Sequence, residues 1–312
     1  MVSKLAAAFI SGQTGMEVTV GEINLGIRGS VLINELSIND QQGEEMLTIH
    51  HFETKVGWIN WESKRLRLNR LDLRGLKFML KKHRTDDFTN LAFFLQHFIS
   101  KQAEDTAVIA GKSDPWKISC KNLQIRNAHF IYDNEDNHAA IEGIDFNDIE
   151  ILDMDLLLTD LFIDRDTISG FIHNLVFIEK SGFELKEFSG NAKFSPVGLQ
   201  VSQLKIITNQ SDLNLDLQFK YNDLGAFSNF ITDVHFDATF RDSELEFSDI
   251  GYFAPLMFTM TDRILLTGDF SGKVCNLKGT DFSFHYGDQT RFSGSVRMNG
   301  LPDITESFIH AS

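Results

Sequence analysis

Apolar and polar residues alternate along most of this chain with a period of two, the mark of β-strands with one dry face and one wet face. The clearest stretch is DFSFHYGDQTRFSGSVRMNG, Asp281 to Gly300. Phe282, Phe284 and Tyr286 sit two apart, and after Gly287-Asp288-Gln289-Thr290 the alternation resumes at Phe292, Gly294, Val296 and Met298. This spacing predicts a β-hairpin. Leu213, Leu215, Leu217, Phe219 and Tyr221 form an unbroken every-second-residue run. In VTVGEINLGIRG the alternation slips at Gly21, which predicts a β-bulge. RLRLNRLDLRGLKFMLKK reads as two strands, because the leucine phase shifts after Leu68.

From Trp116 onward strand-like segments hardly stop. WKISCKNLQIRN, AHFIYD, IEGIDFNDIEIL, MDLLLTDLFID, ISGFIHNLVFIE, FELKEFSGNAKF, GLQVSQLKIIT, DLNLDLQFKYN, ITDVHFDATF and SELEF follow one another closely. No long crossovers separate them, which predicts antiparallel meandering with a repeat-like, one-dimensional stacking of strand units. Helical periodicity is confined to short pieces. Residues 4–12 read as the end of a helix stopped near Gly12 and Gly15. Phe88, Leu91, Ala92, Leu95, Phe98 and Ile99 follow a helical stripe, predicting an amphipathic helix over 87–99 with Asp86 or Asp87 as its cap. A third short helix is predicted over Ile250–Phe258. Residues 101–114 have no period and read as a linker. The expected organisation is an N-terminal β segment over 1–100, that linker, and a continuing β region over 115–312. The expected fold is mainly β, an elongated and strongly curved antiparallel sheet with a hydrophobic groove and a few short helices.

Composition sharpens this picture. Apolar residues make up 42% of the 312, so a core can be buried, and 28 of them are Phe against 4 Tyr and 3 Trp. Phe suits surfaces that stay dry, because it carries no polar atom needing a partner. A sandwich core and a ligand-facing apolar wall both fit that bias. With only 4 Pro, long regular ladders are permitted. The net charge of −15 arises from residues 101–312, which carry −16 against +1 in 1–100, and this acidic body argues against nucleic acid as a partner. Cys120 and Cys275 are too few for a disulfide framework and lack metal spacing. The run Leu5–Ile10 is far shorter than the ~20 apolar residues of a membrane span, and no signal peptide is visible. Met1-Val2-Ser3 reads as an expression scar on a fragment whose natural N-terminus lies upstream.

The search for chemistry returns little. His50 and His51 are adjacent, so on a strand they point to opposite faces. The acidic turn from Asp133 to Ala140 lacks the calcium-loop frame and reads as a solvated hairpin turn. There is no G-x-S-x-G, H-E-x-x-H or Walker loop. The carboxylates Asp153, Asp155, Asp160, Asp164 and Asp166 fall around strand ends and polar faces. No catalytic residue, metal ligand or cofactor is expected, and an enzyme is the least favoured class. One cluster stands apart. Between Lys64 and Arg84 lie nine basic residues and one acid, Asp72. It is either a solvated strand face or a contact for anionic head groups through Arg65, Arg67, Arg70 and Arg74. Trp58 and Trp61 just upstream suit a membrane interface or a core edge.

The order of these features resembles a known family. A helix end precedes TGMEVTVGEINLGIRGSVLINELSIND; then come LTIHHFETKVGWINWESKRLRLNRLDLRGLKFMLKK, an amphipathic helix, a linker and PWKISCKNLQIRNAHFIYD. LKIITNQSDLNLDLQFKYNDL and FSGSVRMNGLPDI follow. The whole is similar to the N-terminal part of AsmA-like proteins of the TamB type, in the form found in Bacteroidota. That resemblance implies a periplasmic bridge anchored in the inner membrane by an N-terminal helix missing here. It implies a chorein-like groove that conducts phospholipid toward the outer membrane. It also implies, in some members, a role in outer-membrane protein assembly.

Two further readings stand beside the conduit. One is a scaffold β-protein that holds an outer-membrane barrel precursor through a sheet edge. The other is a carbohydrate-active or adhesin-type solenoid, disfavoured by the shortage of Tyr and Trp. For the conduit, the residues expected to line the groove are Phe219, Tyr221, Phe236, Phe240, Phe270, Phe282, Phe284 and Phe292, and the expected ligand is the phospholipid acyl chain.

Overall fold

The computed structural model describes residues 11, 16–27, 29–84, 86, 88–94, 115–136, 142–260, 262–286, 290–301 and 307–312. The protein is mainly β, and the sixteen strands among the described residues form one open sheet. In chain order they are β1 (Val18–Leu25), β2 (Ser30–Asn39), β3 (Glu45–Asn60), β4 (Arg65–Lys82), β5 (Lys117–Asn134), β6 (Asp148–Asp164), β7 (Thr167–Glu179) and β8 (Glu184–Leu185). There follow β9 (Glu187–Ser195), β10 (Gly198–Ile207), β11 (Asp212–Lys220), β12 (His235–Glu246), β13 (Arg263–Lys273), β14 (Asn276–Tyr286), β15 (Thr290–Asn299) and β16 (Phe308–Ala311). Neighbours in sequence are neighbours in the sheet, except that β7 pairs with both β8 and β9. β4 and β5 run parallel over nearly their full lengths. A parallel pair of this kind cannot be joined by a hairpin.

Two compact units are present: Met1–Leu161 with Phe177–Gly182, and Phe162–Val176 with Phe183–Ser312. The first packs a small core of Met16, Val18, Ile38 and Met46 under Phe78, Phe93 and Phe94. The second holds two adjoining clusters. Val201, Leu204, Leu215 and Ala238 form one; Leu266, Phe270, Leu277 and Val296 form the other. Phe236 and Phe240 pack against both.

Several predicted strands prove to be halves of one. Residues 65–82 are a single strand, as are Lys117–Asn134 and His235–Glu246. The phase slips that look like breaks are irregularities inside continuous strands. In the second unit β10, β12 and β14 each carry one residue too many for their partners, beside Gln203, Asp242 and Asp281. All three residues have left-handed backbone, φ 53°, 40° and 47°. A bulge of this kind returns the next apolar residue to the original face. Leu199 and Val201 are thereby joined by Leu204 and Ile206 in one cluster despite the change from odd to even numbers. In the first unit the slips at Gly21, Glu35, His50 and Gly75 lie opposite one another, so register is kept through them, and it shifts instead at Ile38–Asn39 and at Lys55–Trp58. The bulge expected at Gly21 is thus a slip shared by its neighbours, with no extra residue.

The helical expectations shift. Residues 90–94 are helical, and the remainder of 87–99 lies largely outside the described residues, as do 101–114 and most of 4–12. The cap is Thr89, whose hydroxyl accepts from the Ala92 N–H at 3.3 Å and whose carbonyl accepts from Phe93 at 3.0 Å. Asp86 instead accepts from the Gln41 side chain at 2.7 Å. The helix expected over Ile250–Phe258 is two pieces, α2 (Phe247–Gly251) and a 3-10 turn (Pro255–Thr259). Pro255 has no N–H and restricts Ala254 to extended backbone, so the helix cannot run through. Residues expected at the start of a strand over ITDVHFDATF form α1 (Phe230–Asp233), which follows a 3-10 turn (Leu224–Asn229).

Candidate functional site

The second unit carries an apolar face that crosses seven strands in register. Residues directly opposite one another across antiparallel strands share a face. Phe194 stands opposite Leu199, and Leu199 opposite Phe219; Phe219 stands opposite Phe236, and Phe236 opposite Gly272. A second row runs from Ala192 through Val201, Leu217, Ala238, Phe270 and Gly279 to Val296. A third joins Leu266, Phe284 and Phe292. The intervening residues on the same strands form a polar face: Gln218 opposite Asp237, Asp237 opposite Ser271, and Ser271 opposite Lys278.

Depth differs along the apolar face. Small and branched residues form the floor, with Val201 and Leu204 essentially inaccessible. The rings stand above it. Phe240 meets Phe270 edge-on at 5.6 Å, and Phe270 meets Phe282 at 5.1 Å. Phe282 stacks on Phe284 at 5.5 Å, and Phe292 lies 5.9 Å from each. Every one of these contacts is within a strand or to the next one. Phe219, Phe236, Phe240, Phe282, Phe284 and Phe292 remain half-buried, while Phe270 is buried. Glycines sit opposite several rings: Gly272 faces Phe236, Gly268 faces Phe240, Gly279 faces Phe270 and Gly294 faces Phe282. The ring of one strand lies over the bare backbone of the next, which shields that backbone and explains the Phe-Gly texture of this region. At Gly279 an added methyl carbon would meet Phe270 at 3.2 Å and Val296 at 2.7 Å.

Tyr221 differs from the other expected wall residues. It is buried, and its hydroxyl donates to the Ser195 carbonyl at 2.9 Å, tying β11 to the β9–β10 turn. Phe219 is flanked at the same end by Phe230 of α1, 5.5 Å away. At the opposite strand ends the buried Asp249 of α2 accepts from the Thr208 hydroxyl at 2.5 Å and the Ser211 N–H at 2.8 Å. Short helical segments therefore anchor strand ends, and α1 also reaches the β13–β14 turn, where the Cys275 N–H donates to the Ile231 carbonyl at 3.3 Å.

The polar face secures the bulges. Asp216 accepts from the Gln203 N–H at 2.7 Å and is ion-paired to Arg241. The Arg241 guanidinium and that N–H hold the Asp216 carboxyl below its usual range. Ser243, fully buried, accepts from the Asn214 N–H at 2.9 Å. Burial raises the Asp237 carboxyl, but hydrogen bonds from Lys220, Ser271 and His235 outweigh it and bring the pKa down to about 2.

In the first unit the basic cluster divides. Arg70 and Arg74 turn toward Asp72, at 2.7 and 3.1 Å, and Arg126 of β5 joins them at 2.6 Å. Asp72 is fully buried beneath the three guanidiniums. Desolvation pushes its carboxyl up; the hydrogen bonds from Arg74, Arg70 and Arg126 win and hold it well below the carboxylate range. Two of the four expected head-group residues are thus committed to an internal carboxylate. Arg65 and Arg67 are exposed and have no ion-pair partner among the described residues.

We expect Asp72→Asn to lower stability by about 2–3 kcal/mol at pH 7, less than a fully buried pair because the arginines are half-exposed. Since the folded-state pKa lies below the unfolded value of about 3.9, this contribution is complete above roughly pH 5 and fades as pH falls. Urea unfolding at pH 7 and pH 3 checks it: the gap between wild type and variant should narrow at the lower pH.

The acids of the Asp133–Ala140 turn that are described serve structure. Lys81 pairs with Glu135 and Glu44, each at 2.8 Å, and Lys82 pairs with Asp136 at 2.8 Å. Residues 137–141 lie outside the described set. A grouping that sequence spacing did not reveal is Asp40, Glu44 and His83, whose ligand atoms lie within 4.8 Å of one another. Asp40 already accepts from the Gln42 and Glu44 N–H groups at 2.9 Å and is hydrogen-bonded to His83 at 2.8 Å, so it fixes the β2–β3 turn. His50 pairs with Glu35 at 3.1 Å, and His51 lies 3.9 Å from Glu53. Both cysteines are free; burial pushes the Cys120 thiol up. Among the described residues no helix is long and apolar enough to cross a membrane. No protein-family model matches the chain, and no curated protein matches it.

Proposed function

We propose that the apolar face of the second unit shelters the acyl chains of phospholipid, as a segment of a periplasmic bridge that conducts lipid from the inner membrane toward the outer membrane. One observation supports this reading above the others: a continuous apolar face, seven strands wide, whose rings other than Phe270 stay only half-buried while the opposite face is mainly polar. An ordinary core would bury those rings. A lipid tail offers no polar atom to recognise, so a surface of Phe, Leu, Ile and Val with the head group left in water is the complementary design. Each sequestered methylene contributes about 0.8 kcal/mol, enough for two chains to hold a lipid without any specific contact. Lack of specific contacts also leaves the chains free to slide. The resemblance to AsmA-like proteins of the TamB type agrees with this, and supplies the periplasmic setting and the inner-membrane anchor.

The test is native mass spectrometry and solvent extraction of the purified protein. Bound phospholipid in near-stoichiometric amount is the expected result. A lipid-free protein that takes up none from vesicles would sink the reading.

A scaffold role remains as the second reading, favoured by the open sheet. β16 is an edge strand of four residues carrying the exposed Phe308. An edge of that kind can pair with an extended segment of an outer-membrane barrel precursor.

A further inference from the structure

All three tryptophans of the chain lie toward one end of the first unit. Trp58 lies near the end of β3, Trp61 in the β3–β4 turn, and Trp116 just before β5. The turn and the start of β5 are joined by the Lys117 N–H donating to the Lys64 carbonyl at 2.8 Å, and the Trp61 and Trp116 rings meet edge-on at 5.3 Å. The β1–β2 turn reaches the same end, where the Val56 N–H donates to the Gly29 carbonyl at 3.0 Å. That turn presents Ile27 at 91% exposure, and Trp61 is 74% exposed. Folding gains nothing by leaving such side chains in water. Around them stand cations. Arg65 pairs in register with Lys117, and Arg67 with Trp58. From Lys55 to Arg70 there are five basic residues and a single carboxylate, Glu62, in a chain of net charge −15.

We infer that this strand-tip cluster docks on the surface of an anionic lipid bilayer. Indole rings favour the head-group layer, where an apolar body and a polar N–H are both accommodated. Ile27 would enter the acyl boundary, while the exposed Arg65 and Arg67 meet lipid phosphates. Local positive charge on an otherwise acidic protein orients this end toward the membrane and turns the remaining body away. Arg70 and Arg74 are excluded, because Asp72 holds them. Docking of this kind is independent of the acyl-chain reading above and requires no lipid to be carried.

Because every tryptophan belongs to the cluster, intrinsic fluorescence reports on it alone. The full chain is mixed with vesicles of phosphatidylcholine containing about one third phosphatidylglycerol, and with phosphatidylcholine alone. The expected result is a blue shift and co-flotation with the anionic vesicles, weakened by salt. The double variant Arg65→Glu/Arg67→Glu should bind at least about tenfold more weakly, and Ile27→Ser should lose the quenching of tryptophan by brominated acyl chains. The control Lys278→Glu/Arg297→Glu, exposed on the polar face of β14 and β15, should bind as wild type. Circular dichroism verifies that each variant is folded. No shift with anionic vesicles, or equal loss in the control, would overturn the proposal. So would a dimer in light scattering that Ile27→Ser dissociates, since the cluster would then belong to a second copy.

Discussion

Phe284→Glu should strip the protein of phospholipid, by at least tenfold in the extracted amount and in transfer between vesicles, while leaving the sheet folded. Phe284 is half-buried, stacked on Phe282 and tilted against Phe292. A glutamate there can turn its carboxylate to water, so the fold loses the ring contacts, each about 0.5–1.5 kcal/mol, and not a desolvated charge. An acyl chain has no such escape. It would have to lie against a carboxylate, which costs more than several methylenes contribute. Far-ultraviolet circular dichroism should remain that of wild type, and the urea midpoint should fall by about 1 M without loss of a cooperative transition. If the variant instead unfolds, the face is a closed core, and the milder Phe292→Gln separates the cases: a conduit keeps its midpoint and loses lipid. A folded Phe284→Glu that still carries and transfers lipid contradicts the proposed function.

Leu204→Asp is expected to do the reverse and unfold the second unit outright. Leu204 is 1% exposed and lies between Val201, Leu215 and Ala238 on the floor of the same face. An aspartate at that depth has no partner and no path to water, a loss of more than about 4 kcal/mol and a large share of the stability of any domain. Leu204→Ala should fall between, at about 2–5 kcal/mol. Denaturation in urea gives the order: wild type, Ala, Asp. A Leu204→Asp protein with an unchanged midpoint would mean that the floor is not packed as the clusters indicate. Taken together the two substitutions distinguish residues that hold the sheet from residues that the sheet displays, although both lie on one face.

The alternation of residues predetermined which face of each strand is dry. At 213–219 and 292–298 it did so without ambiguity, because side chains on a strand have no other place to point. It also determined the dominance of strands and the Phe–Gly texture of 268–294. Strand limits were less legible. A change of phase at 201–204 or 279–282 looks like an end, whereas the chain continues through a left-handed Gln203 or Asp281, a conformation that the sequence marks with no glycine. Pro255 and the Thr89 cap act locally, so the ends they impose are written in the sequence beside them.

Other features depend on residues distant in sequence. The parallel pairing of β4 with β5 depends on where the chain returns after residue 82, and a meander of hairpins is the simpler guess from spacing alone. The fate of the arginines depends on Arg126, which completes the cage around Asp72 more than fifty positions away. The meeting of Trp61 with Trp116 depends on the same parallel pairing. Above all, alternation names an apolar face but is silent on what lies over it. Burial is a property of the neighbours that a side chain acquires on folding, and only the folded sheet separates the floor at Leu204 from the open rings at Phe282, Phe284 and Phe292.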